Sequence, residues 1–472
     1  MVRNVDMKKR ELAAYGAASI ADAGPYSLVT VYLIVFLTTV AKLSPEQAGM
    51  VTSVTILVNG IAEGLLGYIS DHTKSRFGRR RPYLLASLVP LGAGLILLFT
   101  VFEGSPSVRM ASYLGAGFLF WAGFGMYFTP YSALGAELTC DYSERSILRT
   151  CARIFGLIGN ILGMVLPLTI VSFLSGRGCS EAQSWKILAS LMAVCACSSI
   201  LITWNSTRGK EQTGNVGCSE EGSRVSILGL LKDYWSILKL KPYKYLIGVI
   251  IFFMAANTFY NSSMVFFARY TLGIRDEITS AVFLVSLIAN FIYTPILGWS
   301  SAAKDKKNVM AVALAAAGIG CLCFFFSGID SYAKMVAYVC VFSLAYAAYW
   351  QLFNSLLYDL SEVGEYVLGK RTEGSIMSVY GLISSISTSV ATQAVGWILG
   401  MSGYNAAIEV QSQSAQMTIN YLFTLVPGVC LLVAAALQQL YPLNKKRFQQ
   451  LKQAISEKDK KESIPSELKR II

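Results

Sequence analysis

The chain has 472 residues, of which 54% are hydrophobic and only 14% are charged. Together with a mean hydropathy of +0.51, this composition excludes a water-soluble globular protein and indicates a membrane protein. The net charge of +12 does not require nucleic acid as a partner, because basic residues also set membrane topology and contact anionic lipid headgroups.

Apolar segments of about 20 residues recur along the chain, and each is long enough to cross a bilayer core as a helix. The first follows MVRNVDMKKR and is too long and too aromatic for a cleaved signal peptide, so we expect it to remain as a span. The sequence thus predicts an all-α membrane protein with twelve spans, at 14–41, 46–70, 83–102, 108–135, 153–175, 184–204, 244–272, 277–299, 308–328, 332–360, 375–400 and 417–441.

Basic residues predict the orientation of these spans, because Lys and Arg collect in cytosolic loops. With the N-terminus in the cytosol, nearly all of the 40 basic residues fall on the cytosolic side. The seven exceptions are Lys42, Arg109, Arg177, Lys186, Arg269, Arg275 and Lys334. Both termini are therefore predicted to be cytosolic.

The longest interval between spans divides them six and six. We expect an N-terminal six-helix bundle (1–204), a cytosolic connector with an amphipathic helix (205–243), a C-terminal six-helix bundle (244–441) and a charged cytosolic tail (442–472). Similar sequences follow the second span (LLGYISDHTKSRFGRRR) and the eighth (ILGWSSAAKDKK), which supports two parallel halves.

Glu63 lies within the second span, on the order of 10 Å from its cytosolic end at 1.5 Å per residue. Asn59 is one helical turn away and shares its face. Such a pair either forms a structural hydrogen bond between helices or marks a cation or proton pathway.

Further polar residues lie within the other spans and together predict a hydrophilic passage, although each alone fits an interhelical hydrogen bond better than a ligand contact. Trp350 beside Gln351 combines an aromatic face with an amide, which suits a sugar, but a packing tryptophan is equally consistent. The other polar residues are Asp22, Asn160, Asn257, Tyr260, Asn261, Asn290, Asn354 and Gln393. We select Gln351 and Asn257 as candidate substrate contacts.

Four stretches resemble the glycoside-pentoside-hexuronide cation symporters, the melibiose permease family of the major facilitator superfamily. They are YGAASIAD, GYISDHTKSRFGRRRP, PYSALGAELTCDYSERSILRTCARIFG and YDLSEVGEYVLGKRTEGSIMS. The resemblance implies the major facilitator fold, two bundles that rock about a central site, and sugar uptake driven by co-transported Na+, Li+ or H+ without a cofactor.

The resemblance also implies roles for individual residues. The family's paired acids on helix two fall on Asn59 and Glu63, and its helix-one acid falls on Asp22. Its sugar-contacting arginine falls on Arg153 and its helix-ten tryptophan on Trp350. These matches assign cation or proton coupling to Glu63 and Asn59, and substrate binding to the other three.

Two departures from the family bear on the mechanism. Phe128 stands near the place of the helix-four acid, and Ser385 stands where a helix-eleven lysine is expected. Because Na+ is easiest to hold with several oxygen ligands, these losses favour H+ coupling through Glu63. Na+ at Glu63 and Asn59, and uncoupled facilitation, remain as alternatives. A galactoside becomes doubtful, and Arg153 could instead pair with a uronide carboxylate.

Acidic and basic residues cluster at the predicted cytosolic ends of the spans. We hypothesise that they form ion pairs that close this face when the site opens outward, whereas the alternative interpretation is topology determinants and lipid contacts. The gate candidates are Asp71, Arg79, Arg80, Glu137, Arg145, Asp359, Glu365 and Arg371.

Other functions are weighed against sugar transport. A transporter of lysolipids or other amphiphiles would fit the same scaffold, and a non-transporting sensor has no sequence feature in its favour. A membrane-embedded enzyme would need a catalytic constellation, yet His72 is the single histidine and no Cys/His metal spacing exists. We expect a plasma-membrane protein that works as a monomer among lipids, with no nucleic acid partner.

Overall fold

The computed structural model describes residues 9–72, 80–138, 142–208, 234–368 and 373–444 without 407 and 409, together with residue 447. Every regular element within these ranges is a helix. The helices are α1 Lys9–Ala17, α2 Ser19–Val35, α3 Pro45–His72, α4 Arg81–Ala86, α5 Leu88–Leu98, α6 Pro106–Leu138, α7 Tyr142–Asn160, α8 Leu166–Gly176, α9 Glu181–Ser206, α10 Lys241–Phe266, α11 Asp276–Ala303, α12 Lys306–Ser327, α13 Tyr332–Leu368, α14 Glu373–Met401, α15 Gln413–Asn420 and α16 Val426–Leu440.

Ten helical segments in the described part of the chain are long and apolar enough to cross a membrane. They correspond to ten of the twelve predicted spans. The other two predicted spans, 46–70 and 108–135, coincide with α3 and α6. These helices have 28 and 33 residues and are therefore long enough to cross a membrane. The all-helical membrane architecture expected from the apolar segments is therefore present.

The chain divides into two compact units. The first contains Met1–Glu220, Met264–Leu284 and Thr392–Gln416, and the second contains Glu221–Ser263, Val285–Ala391 and Met417–Ile472. The first unit thus includes the end of α10, the start of α11 and the end of α14 besides the first six predicted spans. The predicted division at 204 and 244 remains a prediction.

The ends of two helices repeat the same backbone conformation. A π-helical turn at Phe36–Val40 follows α2, and another at Phe267–Thr271 follows α10. Each turn leads to a residue with positive φ, Lys42 at 57° and Gly273 at 62°. The hydrogen bonds that close the two turns also correspond, since the Ala41 N–H donates to the Phe36 carbonyl and the Leu272 N–H donates to the Phe267 carbonyl. This recurrence gives the weak sequence similarity between the halves a structural counterpart.

Small residues and aromatic rings pack the helices. In the first unit, a Cβ atom on Gly123 of α6 would lie 2.3 Å from the backbone nitrogen of Leu91 on α5, so only glycine permits that crossing. In the second unit, the rings of Phe253 on α10 and Tyr349 on α13 stack with centroids 3.7 Å apart. Close backbone approach thus joins α5 to α6, and ring stacking joins α10 to α13.

Candidate functional site

One face of α2 carries polar side chains and is less buried than the rest of the helix. All residues of α2 are buried except Ile20, Asp22, Ala23, Tyr26 and Thr30. Asp22, Tyr26 and Thr30 are four residues apart and therefore share a face. Because a carboxylate is costly against lipid, this face meets water or protein and not the bilayer. It is the side of the first span that can line a passage.

Asn59 and Glu63 are brought together on α3. The Asn59 side-chain amide donates to Glu63 Oε1 at 3.0 Å, one helical turn away. Asn59 is only 6% exposed, and its Oδ1 atom has no hydrogen-bond partner in the described part of the chain. On α6, the Thr129 hydroxyl donates to the Glu63 carbonyl at 3.5 Å. The pair can therefore offer a carboxylate and a free amide oxygen to a cation, or a carboxylate to a proton.

Asp22 on α2 and Glu63 on α3 belong to helices that both form hydrogen bonds with α6. The nearby tyrosines on α6 use their hydroxyls on backbone and serine oxygens: Tyr127 donates to the Ala18 carbonyl, and Tyr131 bonds Ser19 Oγ at 2.9 Å. These bonds fix α6 against the start of α2, and the Thr129 bond joins the same stretch of α6 to Glu63 on α3.

Arg153 lies on an exposed face of α7. Arg149, one turn before it, is exposed on the same face. A second exposed face of α7 carries Ile147 and Ile154 and suits lipid. Arg153 is thus exposed together with Arg149, and Leu157, one turn after it, is exposed as well.

The remaining predicted substrate residues lie in the second unit. Trp350 on α13 is 39% exposed, with the Tyr349 ring against it edge-on at 5.6 Å. Gln351 packs against α11, because a Cβ atom on Gly298 would lie 3.6 Å from its Nε2 atom. The Asn257 Oδ1 atom accepts from Asn261 Nδ2 at 2.9 Å. Trp350 is thus open to a ligand, whereas Asn257 already has a partner on its own helix.

Most of the predicted cytosolic gate lies outside the side chains that the structure describes. This applies to Asp71, Arg79, Glu137, Arg145, Glu365 and Arg371. Arg80 is described and is 9% exposed. Asp359 pairs with Lys306 on α12, whose Nζ lies 2.9 and 3.1 Å from the two carboxylate oxygens. Both partners belong to the second unit, so this ion pair joins α12 to α13 within that unit.

Sequence reasoning missed the role of Arg81. Only 4% exposed, it donates to the Trp204 carbonyl at 2.8 Å and stacks over the Trp204 ring at 4.8 Å. Trp204 lies in the last turn of α9, where carbonyl groups lack helical partners. Arg81 therefore caps α9, which the basic run GRRRP alone could not distinguish from a topology signal.

A second group of contacts that sequence reasoning missed joins the start of α3 to the end of α14, on the predicted external side. A Cβ atom on Gly396 would lie 2.6 Å from the Pro45 carbonyl oxygen and 2.9 Å from Gly49 Cα. One turn further along α3, the Ser53 hydroxyl donates to Gln393 Oε1 at 3.1 Å. All these residues belong to the first unit. The two glycines let α3 and α14 cross in close contact. No sequence pattern within one helix predicts such a pairing.

Comparisons with known proteins identify the family of this chain. A family model described as MFS/sugar transport protein matches residues 14–445. The chain is 23% identical over 479 residues to the glucuronide carrier protein homolog of Escherichia coli (strain K12), covering 98% of each. It is 26% identical over 447 residues to the isoprimeverose transporter of Lactiplantibacillus pentosus, covering 92% of this chain and 89% of the relative. In fold it is similar to the xylose transporter XylE from E. coli in its inward open conformation, with a TM-score of 0.63 at 15% identity, covering 94% of this chain and 98% of that one.

Proposed function

Because the chain belongs to the MFS/sugar transport protein family, we propose that it is a secondary active transporter that carries a sugar or glycoside together with a cation. It is an integral multi-pass membrane protein of the cell membrane, and its homologues are transporters, not enzymes. The resemblance to glycoside-pentoside-hexuronide symporters, identified from four motifs, is confirmed by these relatives.

The architecture that we propose has twelve spans in two halves of six, with both termini in the cytosol. The length of α3 and α6 and the distribution of basic residues support it. The proposed boundaries remain 1–204, 205–243, 244–441 and 442–472. Transport by alternating access needs only these two halves, so a monomer suffices.

One observation carries the coupling part of the proposal, namely the Asn59–Glu63 pair on α3, in which Asn59 is only 6% exposed. Buried ionisable groups in membrane spans are costly and mark ion or proton pathways. We propose that Glu63 is the coupling carboxylate and that H+ is the coupling ion, because a proton needs only one titratable group. Na+ is the second candidate, and the free Oδ1 atom of Asn59 favours it as an oxygen ligand.

The substrate part of the proposal follows the relatives. Their names include a glucuronide carrier homolog, an isoprimeverose transporter and a raffinose carrier, so we propose a glycoside or uronide. Arg153, exposed beside Arg149 on α7, suits a uronide carboxylate. Trp350 suits the apolar face of a sugar ring. Asp22, Gln351 and Asn257 remain further proposed contacts, and the eight gate candidates remain proposed ion-pair partners.

The experiment is uptake of labelled glycosides and glucuronides into proteoliposomes with an imposed pH or Na+ gradient. Liposomes without protein and liposomes with an ionophore that collapses the gradient are the controls. We expect one solute to accumulate above its external concentration under one gradient only. If no sugar moves under any gradient, the sugar assignment is wrong, and lysolipids and other amphiphiles become the next panel.

A further inference from the structure

A polar cavity of about 460 Å³ lies in the first unit, where four separate segments of the chain meet. Its wall is formed by α8, by the turn that follows α10, by the first residues of α11 and by the loop that follows α14. All four segments lie at predicted external ends of the spans. The volume is in the range of pockets that bind small solutes, so this cavity is large enough for a sugar.

Two arginines line this cavity, and membrane topology does not explain them. Arg269 and Arg275 are exposed and are two of the seven basic residues predicted outside the cytosol, where lysine and arginine are normally scarce. In the described part of the chain, neither guanidinium group forms a hydrogen bond or an ion pair. Two guanidinium groups on one cavity wall are therefore available to a carboxylate from solution.

Other basic residues on the predicted external side have partners within the protein. Arg109 on α6 donates to the Ala41 carbonyl at 2.9 Å, and Lys334 pairs with Asp330 at 2.7 Å. These contacts give both cations a structural role. The two cavity arginines lack such contacts, so a ligand is the partner that their position favours.

The rest of the wall supplies an aromatic ring and groups that bond hydroxyls. Tyr404, 7% exposed, donates its hydroxyl to the Tyr270 hydroxyl at 3.1 Å, which leaves the Tyr270 proton for a ligand. Asp276 and Glu277 line the same cavity, and Glu277 also accepts from Ser172. Carboxylates beside the arginines disfavour a simple anion but can accept from the hydroxyl groups of a sugar. The wall therefore suits a hydroxylated solute that carries one carboxylate.

We propose that this cavity is a second solute site, on the predicted external face, and that it binds a sugar that carries a carboxylate. Arg269 and Arg275 hold the carboxylate, while Tyr270 and Glu277 bond the hydroxyl groups. The inference rests on the proposed transport of a glycoside or uronide and adds a site to it.

The cavity is distinct from the proposed substrate contact at Arg153. Arg153 lies in α7 and Ser172 lies in α8, with one π-helical turn between the two helices. At 1.5 Å per residue, the two residues are on the order of 28 Å apart along this helical segment. One sugar cannot touch both, so in the predicted orientation a solute that arrives from outside meets the cavity first.

Protection of a cysteine in the cavity wall tests this site directly. Ala406 lines the cavity, so Ala406→Cys places a reactive thiol there once the ten native cysteines are replaced. Val410→Cys is the matched control, because Val410 is 78% exposed and is not part of the wall. The rate of reaction with a maleimide is measured on the purified protein in detergent. D-glucuronate, D-glucose and acetate are compared at equal ionic strength.

We expect D-glucuronate to protect Ala406→Cys and to leave the labelling of Val410→Cys unchanged. At ten times its dissociation constant it should slow labelling about tenfold, because only the unoccupied cavity reacts. D-glucose lacks the carboxylate and acetate lacks the hydroxyl groups. Each should therefore need a concentration roughly tenfold higher or more for the same protection.

Substitution of the arginines identifies the groups that bind the carboxylate. Arg269→Gln and Arg275→Gln should each raise the half-protecting concentration roughly tenfold or more, because each loses a charge-assisted hydrogen bond. Arg177→Gln is the control and should change nothing, since Arg177 is an exposed arginine of the same predicted face that stacks over Phe173 outside the cavity. Arg153→Gln should also retain the protection.

Equal protection by D-glucose or by acetate, or unchanged half-protecting concentrations in both cavity variants, would overturn the inference. Protection that disappears in Arg153→Gln would also overturn it, because the ligand would then act from the central site. Failure of the proposed function is distinct. Protection that depends on the two arginines, without sugar movement in proteoliposomes, would leave the site standing and refute sugar transport, and sugar uptake without protection at Ala406 would do the reverse.

Discussion

The crossing of α3 and α14 allows a sharp test of alternating access. A Cβ atom on Gly396 would lie 2.6 Å from the Pro45 carbonyl oxygen, whereas ordinary contacts begin at 3.4 Å. Gly396→Ala therefore requires the helices to separate by about 0.8 Å at this point. Overpacking of this kind costs roughly 1–3 kcal/mol. If the contact exists only when the predicted external face is closed, the ratio of open to closed states should rise roughly 5- to 150-fold.

Labelling of a cysteine at position 53 measures this ratio. Ser53 is 5% exposed and bonds Gln393, so Ser53→Cys is shielded while the crossing is closed. With the ten native cysteines replaced, a membrane-impermeant maleimide added outside should label Gly396→Ala faster by the factor above. Gly381→Ala is the matched control on α14, because a Cβ atom there meets nothing within 4 Å.

The increase in labelling rate should also depend on the severity of the clash. A Cβ atom on Gly49 would lie 3.0 Å from Gly396 Cα, a milder clash than that at Gly396, so Gly49→Ala should accelerate labelling less. Equal labelling rates in Gly396→Ala and Gly381→Ala would refute the reasoning, provided that both variants keep the wild-type unfolding midpoint within a few degrees. The crossing would then be a permanent structural contact and not a closure.

Two further predictions concern stability, both measured by thermal unfolding in detergent. Arg81→Lys keeps the charge but loses the planar stacking on Trp204, so we expect the free energy of unfolding to fall by about 1–2 kcal/mol. An unchanged free energy of unfolding would mean that Arg81 acts only as a topology signal. Gly273→Ala should lower the free energy of unfolding by about 1 kcal/mol because φ at this position is 62°. Lys42→Gly at the equivalent position should leave the free energy of unfolding unchanged or raise it. Equal effects of the two substitutions would contradict the equivalence of the two turns.

The sequence predicts features that depend on local spacing. Apolar segments long enough for a bilayer identify the helices, since backbone groups in lipid must be satisfied within the helix. The four-residue spacing of Asn59 and Glu63 predicts their shared face, and the structure shows the hydrogen bond between them. Spacing within one segment is thus sufficient to predict the helices and the Asn59–Glu63 pair.

Features that join distant segments are not predictable in the same way. Gly49 and Gly396 meet only in the folded chain, and neither residue differs in sequence context from glycines that face open space, such as Gly115. Lys306 and Asp359 are 53 residues apart and pair only because α12 and α13 pack side by side.

Substrate-driven proton movement tests the central claim most directly, because it reports coupling at Glu63 without relying on accumulation. A glycoside that the uptake panel identifies is added outside proteoliposomes containing a pH-sensitive dye, with no imposed gradient and no Na+. Wild-type protein should acidify the lumen as the sugar enters, and Glu63→Gln should exchange the sugar without changing the pH. Sugar entry through the wild type with no pH change, or an unchanged pH signal in Glu63→Gln, would contradict proton coupling through Glu63.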